Sequence, residues 1–287
     1  SERVAAAGSH GEGSVTPAPG QRARAAPELL LPTGRRIARN TLLNFIGQAV
    51  PLVVGVVTIP FIVRGLGPDR FGLLSIAWVV MGYFTLFDLG LGRATTKFVA
   101  EALATRQDRR RVVRIVWTAV TAQAILGLIG SLILVSGVPL LTNRIFKVPL
   151  ELVPEAKITF YLLALFLPII MMSSSLSGVL EASQRFDLIN AIRVPSTTAN
   201  YLLPVIGVLA GLGLPGIVGL VLASRVCTFA CLTILVSRRV TRLLPYSADL
   251  ELLPQMLVFG GWVTMGNILG PVLMYTDRLV IASVLSI

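Results

Sequence analysis

VRIVWTAVTAQAILGLIGSLILVSGVP, from Val113 to Pro139, carries one charge, Arg114, at its second position. A helix crossing a bilayer needs about 20 mostly apolar residues, and this run exceeds that length. Similar runs lie on both sides of it. Together they cover about 41–63, 71–91, 113–139, 157–180, 188–210, 214–236 and 257–287. The repetition of the pattern predicts an all-α membrane protein with about seven transmembrane helices.

The composition agrees. Of the 287 residues 54% are hydrophobic and 14% charged, with a mean hydropathy of +0.81. Ordinary soluble domains have ~45–50% and ~25%. So little polar surface could not cover this much apolar side chain in water. The formal net charge of +11 would suggest nucleic acid in a soluble chain. Here the basic residues stand between apolar runs, where topology explains them, and no nucleic-acid partner is expected.

Lys and Arg set the orientation. The tail holds Arg3, Arg22, Arg24, Arg35, Arg36 and Arg39. The connection after the second run holds seven more, between Arg93 and Arg114. With Arg185, Arg193, Arg238, Arg239 and Arg242 the count on one side is eighteen, against five on the other. This bias predicts a cytoplasmic N-terminus. Residues 1–39 read as a disordered cytoplasmic tail without the apolar core of a signal peptide. A first residue that is not Met predicts that the true start is missing.

Several runs contain Pro (Pro51, Pro60, Pro168, Pro195, Pro204, Pro271), which predicts kinks with protein or cavity water beside the freed backbone groups. Residues 92–111 read as a helix on the membrane surface. Phe98, Val99, Ala102 and Leu103 would face lipid, and Lys97, Arg106 and Arg110 the headgroups. That helix is either a membrane-sensing lever or a basic anchor. Cys227 and Cys231 share a helix face inside one run, read as small packing residues. The single His is His10 in the tail, which disfavours His catalysis and His metal sites. Asn44-Phe45-Ile46-Gly47 and Asn267-Ile268-Leu269-Gly270 form a weak internal repeat, each opening a Pro-containing run after a basic segment.

Intramembrane charge marks the candidate site. Arg225 stands in Leu220-Val221-Leu222-Ala223-Ser224-Arg225-Val226-Cys227. A mid-span Arg costs ~2.5–3.5 kcal/mol on insertion scales, so such residues usually face a cavity and a partner or ligand. The competing reading is an Arg that snorkels to the nearer surface. Asp277 and Arg278 are adjacent, hence about 100° apart on a helix and unable to pair with each other. Asp88 and Arg93 flank Gly90 and Gly92 where the second run ends, and Asp88 suits a cap. Polar residues inside the runs, among them Gln123, Ser174, Ser175 and Asn200, predict a wet interior or close helix packing. No Walker A, Gly-rich nucleotide loop or catalytic triad is present. No enzyme activity and no cofactor are expected. Any driving force would come from an ion gradient, membrane potential or substrate flux.

Asn40-Thr41-Leu42-Leu43-Asn44, Ile59-Pro60, Arg64-Gly65-Leu66-Gly67-Pro68-Asp69-Arg70-Phe71-Gly72, Asp88-Leu89-Gly90-Leu91-Gly92-Arg93-Ala94 and Lys97-Phe98-Val99-Ala100 resemble the polysaccharide-biosynthesis flippases. Those belong to the multidrug/oligosaccharidyl-lipid/polysaccharide exporter superfamily. Asp277-Arg278-Leu279-Val280-Ile281 is also similar. The resemblance implies two six-helix lobes around a cavity, working by alternating access. Its substrate would be isoprenoid-diphosphate-linked oligosaccharide, crossing the bacterial inner membrane. It implies a first lobe over 40–240 and the incomplete start of a second over 241–287, hence a C-terminally truncated chain. Membrane lipids, glycosyltransferases and a polymerase are the implied partners.

On that reading Arg225, Arg278 and Arg93 would bind the diphosphate, and Asp277 and Asp88 would couple an ion. The loop from Arg64 to Gly72 reads as a tight outer turn in which Asp69 caps the next helix and the arginines snorkel. A cation-coupled drug exporter of the same fold, or a non-functional fragment, is the alternative.

Overall fold

The structure is a computed structural model that describes residues 34–269 apart from 87, 106–108, 147, 242, 244, 268; over 34–44, 46 and 83–86 it describes the backbone alone. Residues Ser1–Thr41 form one unit and Leu42–Ile287 another. Of the first unit, only the helical backbone of 34–41 is described. The second unit contains the helix bundle and both apolar clusters. Asp277 and Arg278 lie outside the described residues, as does part of the internal repeat.

The described residues form eight long helices and no strand. They are α1 (Gly34–Leu66), α2 (Pro68–Leu86), α3 (Leu91–Ala104), α4 (Arg109–Leu140), α5 (Val153–Ala182), α6 (Phe186–Leu209), α7 (Leu214–Arg239) and α8 (253–267). A π-helical turn (Leu141–Ile145) and a 3-10 turn (Leu150–Leu152) join α4 to α5. Four stretches are long and apolar enough to cross a membrane, namely Gly47–Leu66, Arg109–Ile145, Leu150–Ala182 and Leu214–Arg239. The chain is a multi-pass membrane protein, and α2, α6 and α8 fall on the remaining apolar runs. The internal prolines of α1, α5 and α6 sit within continuous helices.

Helix α5 is the hub, packed on α2, α3, α4, α6 and α7. Two apolar clusters form around it. One, at the end where α5 and α7 finish and α6 begins, gathers Leu91, Val99, Ile115, Val179, Val236 and Met256. This is termed the basic end. The other, at the opposite end, gathers Ile62, Leu74, Val138, Phe160, Leu214 and Leu222. Between the clusters lies a polar level that includes Gln123, Ser174, Ser175, Ser196, Asn200 and Arg225. In lipid, helix contact gains little from the hydrophobic effect and relies on close packing and hydrogen bonds, so this level can also hold the bundle together.

The tight turn expected between Arg64 and Gly72 is present. Gly67 alone, at φ +78°, separates α1 from α2. Arg70 does not snorkel freely. It grips Glu155 at the start of α5 in a two-point ion pair, Nη2–Oε1 2.7 Å and Nε–Oε2 3.0 Å.

Helix α3 also departs from expectation. Val99 and Ala102 are fully buried against α4 and α5 rather than turned to lipid. The apolar stripe that could have met a membrane is used by the protein core, and only Leu103 of the four remains exposed. Cys227 and Cys231 are exposed as well. α7 packs inward through Leu222, Leu232 and Val236, leaving the cysteine face open.

Candidate functional site

Two cavities contain the described candidate residues. One has a volume of ≈ 290 Å³ and is lined by Trp78, Met81, Gly82, Ile170, Asn200, Tyr201 and Arg225. The chain builds it from the middles of α2, α5, α6 and α7. Ser196 and Asn200 stand one turn apart on α6 and point at α7. Arg225 donates from Nη2 to Asn200 Oδ1 at 2.9 Å and from Nη1 to Ser196 Oγ at 3.5 Å. Ser196 is further held by the Thr228 hydroxyl at 3.0 Å.

Among the described residues Arg225 pairs with no carboxylate, and its Nε is a buried donor without a partner. Trp78 Nε1, on the same cavity, is another. The Trp78 ring meets Tyr201 edge to face at 5.7 Å between centroids. A cation with neutral neighbours beside aromatic walls is an arrangement able to pair with an anion.

The second cavity, ≈ 320 Å³, opens toward the basic end. Asp88, Arg93, Ser174, Glu181, Arg193 and Asn267 are among its lining residues. Here the turn between α2 and α3 is decisive. Leu89 and Gly90 both take left-handed φ, 48° and 65°, which starts α3 at once and leaves Asp88 facing inward. Its carboxylate accepts Ser174 Oγ at 2.7 Å and Gln123 Nε2, while Gln123 Oε1 accepts the Ser175 backbone N–H at 3.2 Å. Asp88 thus ties the turn to α4 and α5, and its carboxylate also accepts the Gly92 backbone N–H in the first turn of α3, as expected of a capping residue.

Two close approaches complete the site. A Cβ on Gly90 would collide with the Gly260 carbonyl of α8, and one on Gly178 would collide with the carbonyl of Gly92. Only glycine lets the α2–α3 turn touch α8 and lets α3 lie on α5. Arg93 and Arg193 then converge on one carboxylate. Glu181 meets Arg193 Nη2 through Oε1 at 2.9 Å and Arg93 Nη1 through Oε2 at 3.7 Å.

Of the residues singled out from sequence, Arg225 is placed in one cavity and Arg93 and Asp88 in the other. Ser196, Trp78, Tyr201, Glu181 and Arg193 were not singled out as site residues. The spacing of Ser196 and Asn200 was a readable signal, because polar residues four apart share a helix face. Arg193 entered the sequence reading only as a topological charge, and Glu181 had no local signal.

The sequence profile of the family described as "Polysaccharide biosynthesis protein" matches residues 37–287. A Shigella flexneri protein named "Putative O-antigen transporter" is 26% identical over 253 residues, 87% of this chain and 58% of that protein. The chain therefore spans little more than half the length of that relative. Among solved structures, a multidrug resistance MATE transporter in an outward-facing conformation superposes with TM-score 0.66 at 21% identity, covering 83% of this chain and 54% of its own. A MATE P26A mutant gives TM-score 0.69 at 20%, covering 86% and 56%. A MOP superfamily transporter from Pyrococcus furiosus, described by the reverse polarity of its binding pocket, gives 0.64 at 21%, covering 83% and 54%. At these identities the structures establish the fold alone. With a profile match across nearly all of the helical region, the chain belongs to the polysaccharide biosynthesis protein family.

Proposed function

We propose that this chain supplies the first lobe, over 40–240, and the start of the second, from 241, of a transporter. It would flip isoprenoid-diphosphate-linked oligosaccharide across the bacterial cytoplasmic membrane by alternating access. The Arg225 cavity carries this reading. A guanidinium held by neutral Asn200 and Ser196 keeps its full charge for an incoming phosphate oxygen, and its fork shape suits that group. Trp78 and Tyr201 would offer aromatic surface to the first sugar.

The basic end would face the cytoplasm, as the Lys and Arg bias favours. Arg93, with Arg193, would meet the diphosphate there before Arg225 does, and Arg278, in the last apolar run of the sequence, would add a further cation. Asp88 and Asp277 would couple an ion, and for Asp88 the neutral donors Ser174 and Gln123 support this, since a carboxylate so placed can exchange a proton or Na⁺. Membrane lipids, glycosyltransferases and a polymerase are the proposed partners. The relative is named a transporter, which accords with a role other than catalysis.

The test is translocation of a diphosphate-linked glycan by the full-length protein in proteoliposomes. Arg225→Ala is expected to cut transport about 10–100-fold, the worth of one charged hydrogen bond of ~1.5–3 kcal/mol. Unchanged transport overturns the role of Arg225. Export of an organic cation instead of the glycan would favour a drug exporter of this fold.

A further inference from the structure

A third cavity, ≈ 230 Å³, lies between α4 and the segment that leads into α8. It is lined by Thr118, Thr121, Ala122 and Ile125 on one side and by Tyr246, Ala248, Leu250 and Leu253 on the other. The segment is strapped to α4 at defined points. Trp117 Nε1 donates to the Leu243 carbonyl at 2.7 Å. Thr118 Oγ1 donates to the Asp249 carbonyl at 3.1 Å and accepts the Asp249 N–H at 2.8 Å. Arg114 Nη1 holds Asp249 Oδ2 at 3.1 Å, and the Trp117 and Tyr246 rings meet edge to face at 4.8 Å. The groove is therefore built with two fixed walls, whereas lipid along an ordinary helix face meets only one.

Its wall on α4 has a polarity gradient. Arg111, Arg114, Thr118, Thr121 and Ile125 recur at intervals of three or four, so they form one stripe along the helix. The stripe passes from guanidinium to hydroxyl to hydrocarbon. Arg111 to Ile125 spans about 21 Å at 1.5 Å per residue. One leaflet with its headgroups is ~20–22 Å thick, half of the ~40–45 Å of a bilayer. The 32 residues of α4 run about 48 Å, longer than the ~30 Å hydrocarbon core, so its basic first turn stands in the headgroup layer. Arg109, Arg110, Arg111 and Arg114 outnumber by one the acids near them, Asp108, Asp249 and Glu251, and of these arginines Arg114 is held by Asp249. Ile125 and Leu250, 53% and 74% exposed, are open to a chain entering from the membrane.

We infer that this groove is a binding site for one anionic phospholipid. Its phosphate lies at the arginine-rich first turns of α4, and one acyl chain lies between Ile125 and the Leu250–Leu253 wall. A phosphate needs cations at headgroup depth, and a chain needs an apolar slot directly beneath them. The stripe supplies both in register. The occupant also packs against the strap, so it holds that segment to α4. The inference does not depend on the substrate proposed above.

The test is native mass spectrometry of the purified, delipidated protein given equal phosphatidylglycerol and phosphatidylcholine. Retention of phosphatidylglycerol about fivefold over phosphatidylcholine is expected, the effect of roughly one surface Arg. Arg111→Gln should bring the two lipids toward parity. Leu250→Glu should lower phosphatidylglycerol retention while leaving the arginines in place, which separates this groove from other basic surfaces. Arg109→Gln is the second headgroup variant should Arg111→Gln fail to fold. Equal retention by the unaltered protein overturns the site, and so does a preference insensitive to Leu250→Glu. Displacement of the lipid by free glycerol phosphate would show a soluble-phosphate site and overturns it too.

Discussion

The hydroxyl of Ser174 donates to the carboxylate of Asp88 at 2.7 Å, which fixes the turn between α2 and α3 to the basic-end half of α5. That turn touches α8 through Gly90 and Gly260 and lines the cavity that holds Arg93, Arg193 and Glu181. With the bond from Gln123 to the same carboxylate, the Ser174 bond helps position a helix start, a contact with α8 and a charged cavity.

Asp88→Ala leaves Ser174 and the buried Gln123 amide without their acceptor. A buried polar group left unsatisfied costs ~1–3 kcal/mol. The variant should melt correspondingly lower in detergent, and Asp88→Asn, which keeps one acceptor oxygen, should lose less. If Asp88 couples an ion, Asp88→Asn folds but transports without dependence on the ion gradient. Wild-type gradient dependence in that variant would assign Asp88 to positioning alone.

Asn200→Asp puts a carboxylate where Nη2 of Arg225 now has a neutral oxygen at 2.9 Å. The new ion pair should neutralise the cavity cation with little loss of stability. Transport should fall about as far as in Arg225→Ala, by ~10–100-fold, while the melting temperature stays near that of the parent. Normal transport in a well-folded Asn200→Asp protein would show that the charge of Arg225 is not used.

Glu181→Gln frees the two guanidinium groups that now share one carboxylate. Inorganic diphosphate should then bind more tightly at the basic end, by roughly tenfold for each ~1.4 kcal/mol regained. Isothermal titration of the parent and variant measures this. An unaltered affinity would mean that Arg93 and Arg193 do not meet the anion together.

Gly90→Ala is expected to be the most damaging single methyl in this region. The left-handed conformation alone costs an L-residue ~1–2 kcal/mol, and the added carbon also meets the Gly260 backbone. Gly67→Ala has a similar φ with open space around it, so it should show the conformational cost alone. Comparison of the two melting temperatures separates the collision from the strain.

Much of the architecture was legible because a bilayer imposes a local rule. Each span must be apolar over its own length, and each long run in the sequence therefore announced a helix. The charge in the Val221–Cys227 run was equally plain, since an Arg there has no cheap local solution. Helix α3 misled because an amphipathic stripe has the same periodicity whether it meets lipid or protein, and Val99 and Ala102 found protein. The tight turn read between Arg64 and Gly72 is present at Gly67, but nothing local to it announced that Arg70 would meet Glu155 of α5.

By itself, the sequence determined that this chain lives in a membrane, where its helices run and that one of them carries an Arg within its apolar run, because hydrophobicity and charge act residue by residue. The tertiary structure alone decided that Arg225 faces Asn200 and Ser196 rather than a carboxylate. It also decided that Glu181 gathers two arginines and that Gly90 meets Gly260. Those relations join residues far apart in the chain, and only the packing of one helix on another can bring them together.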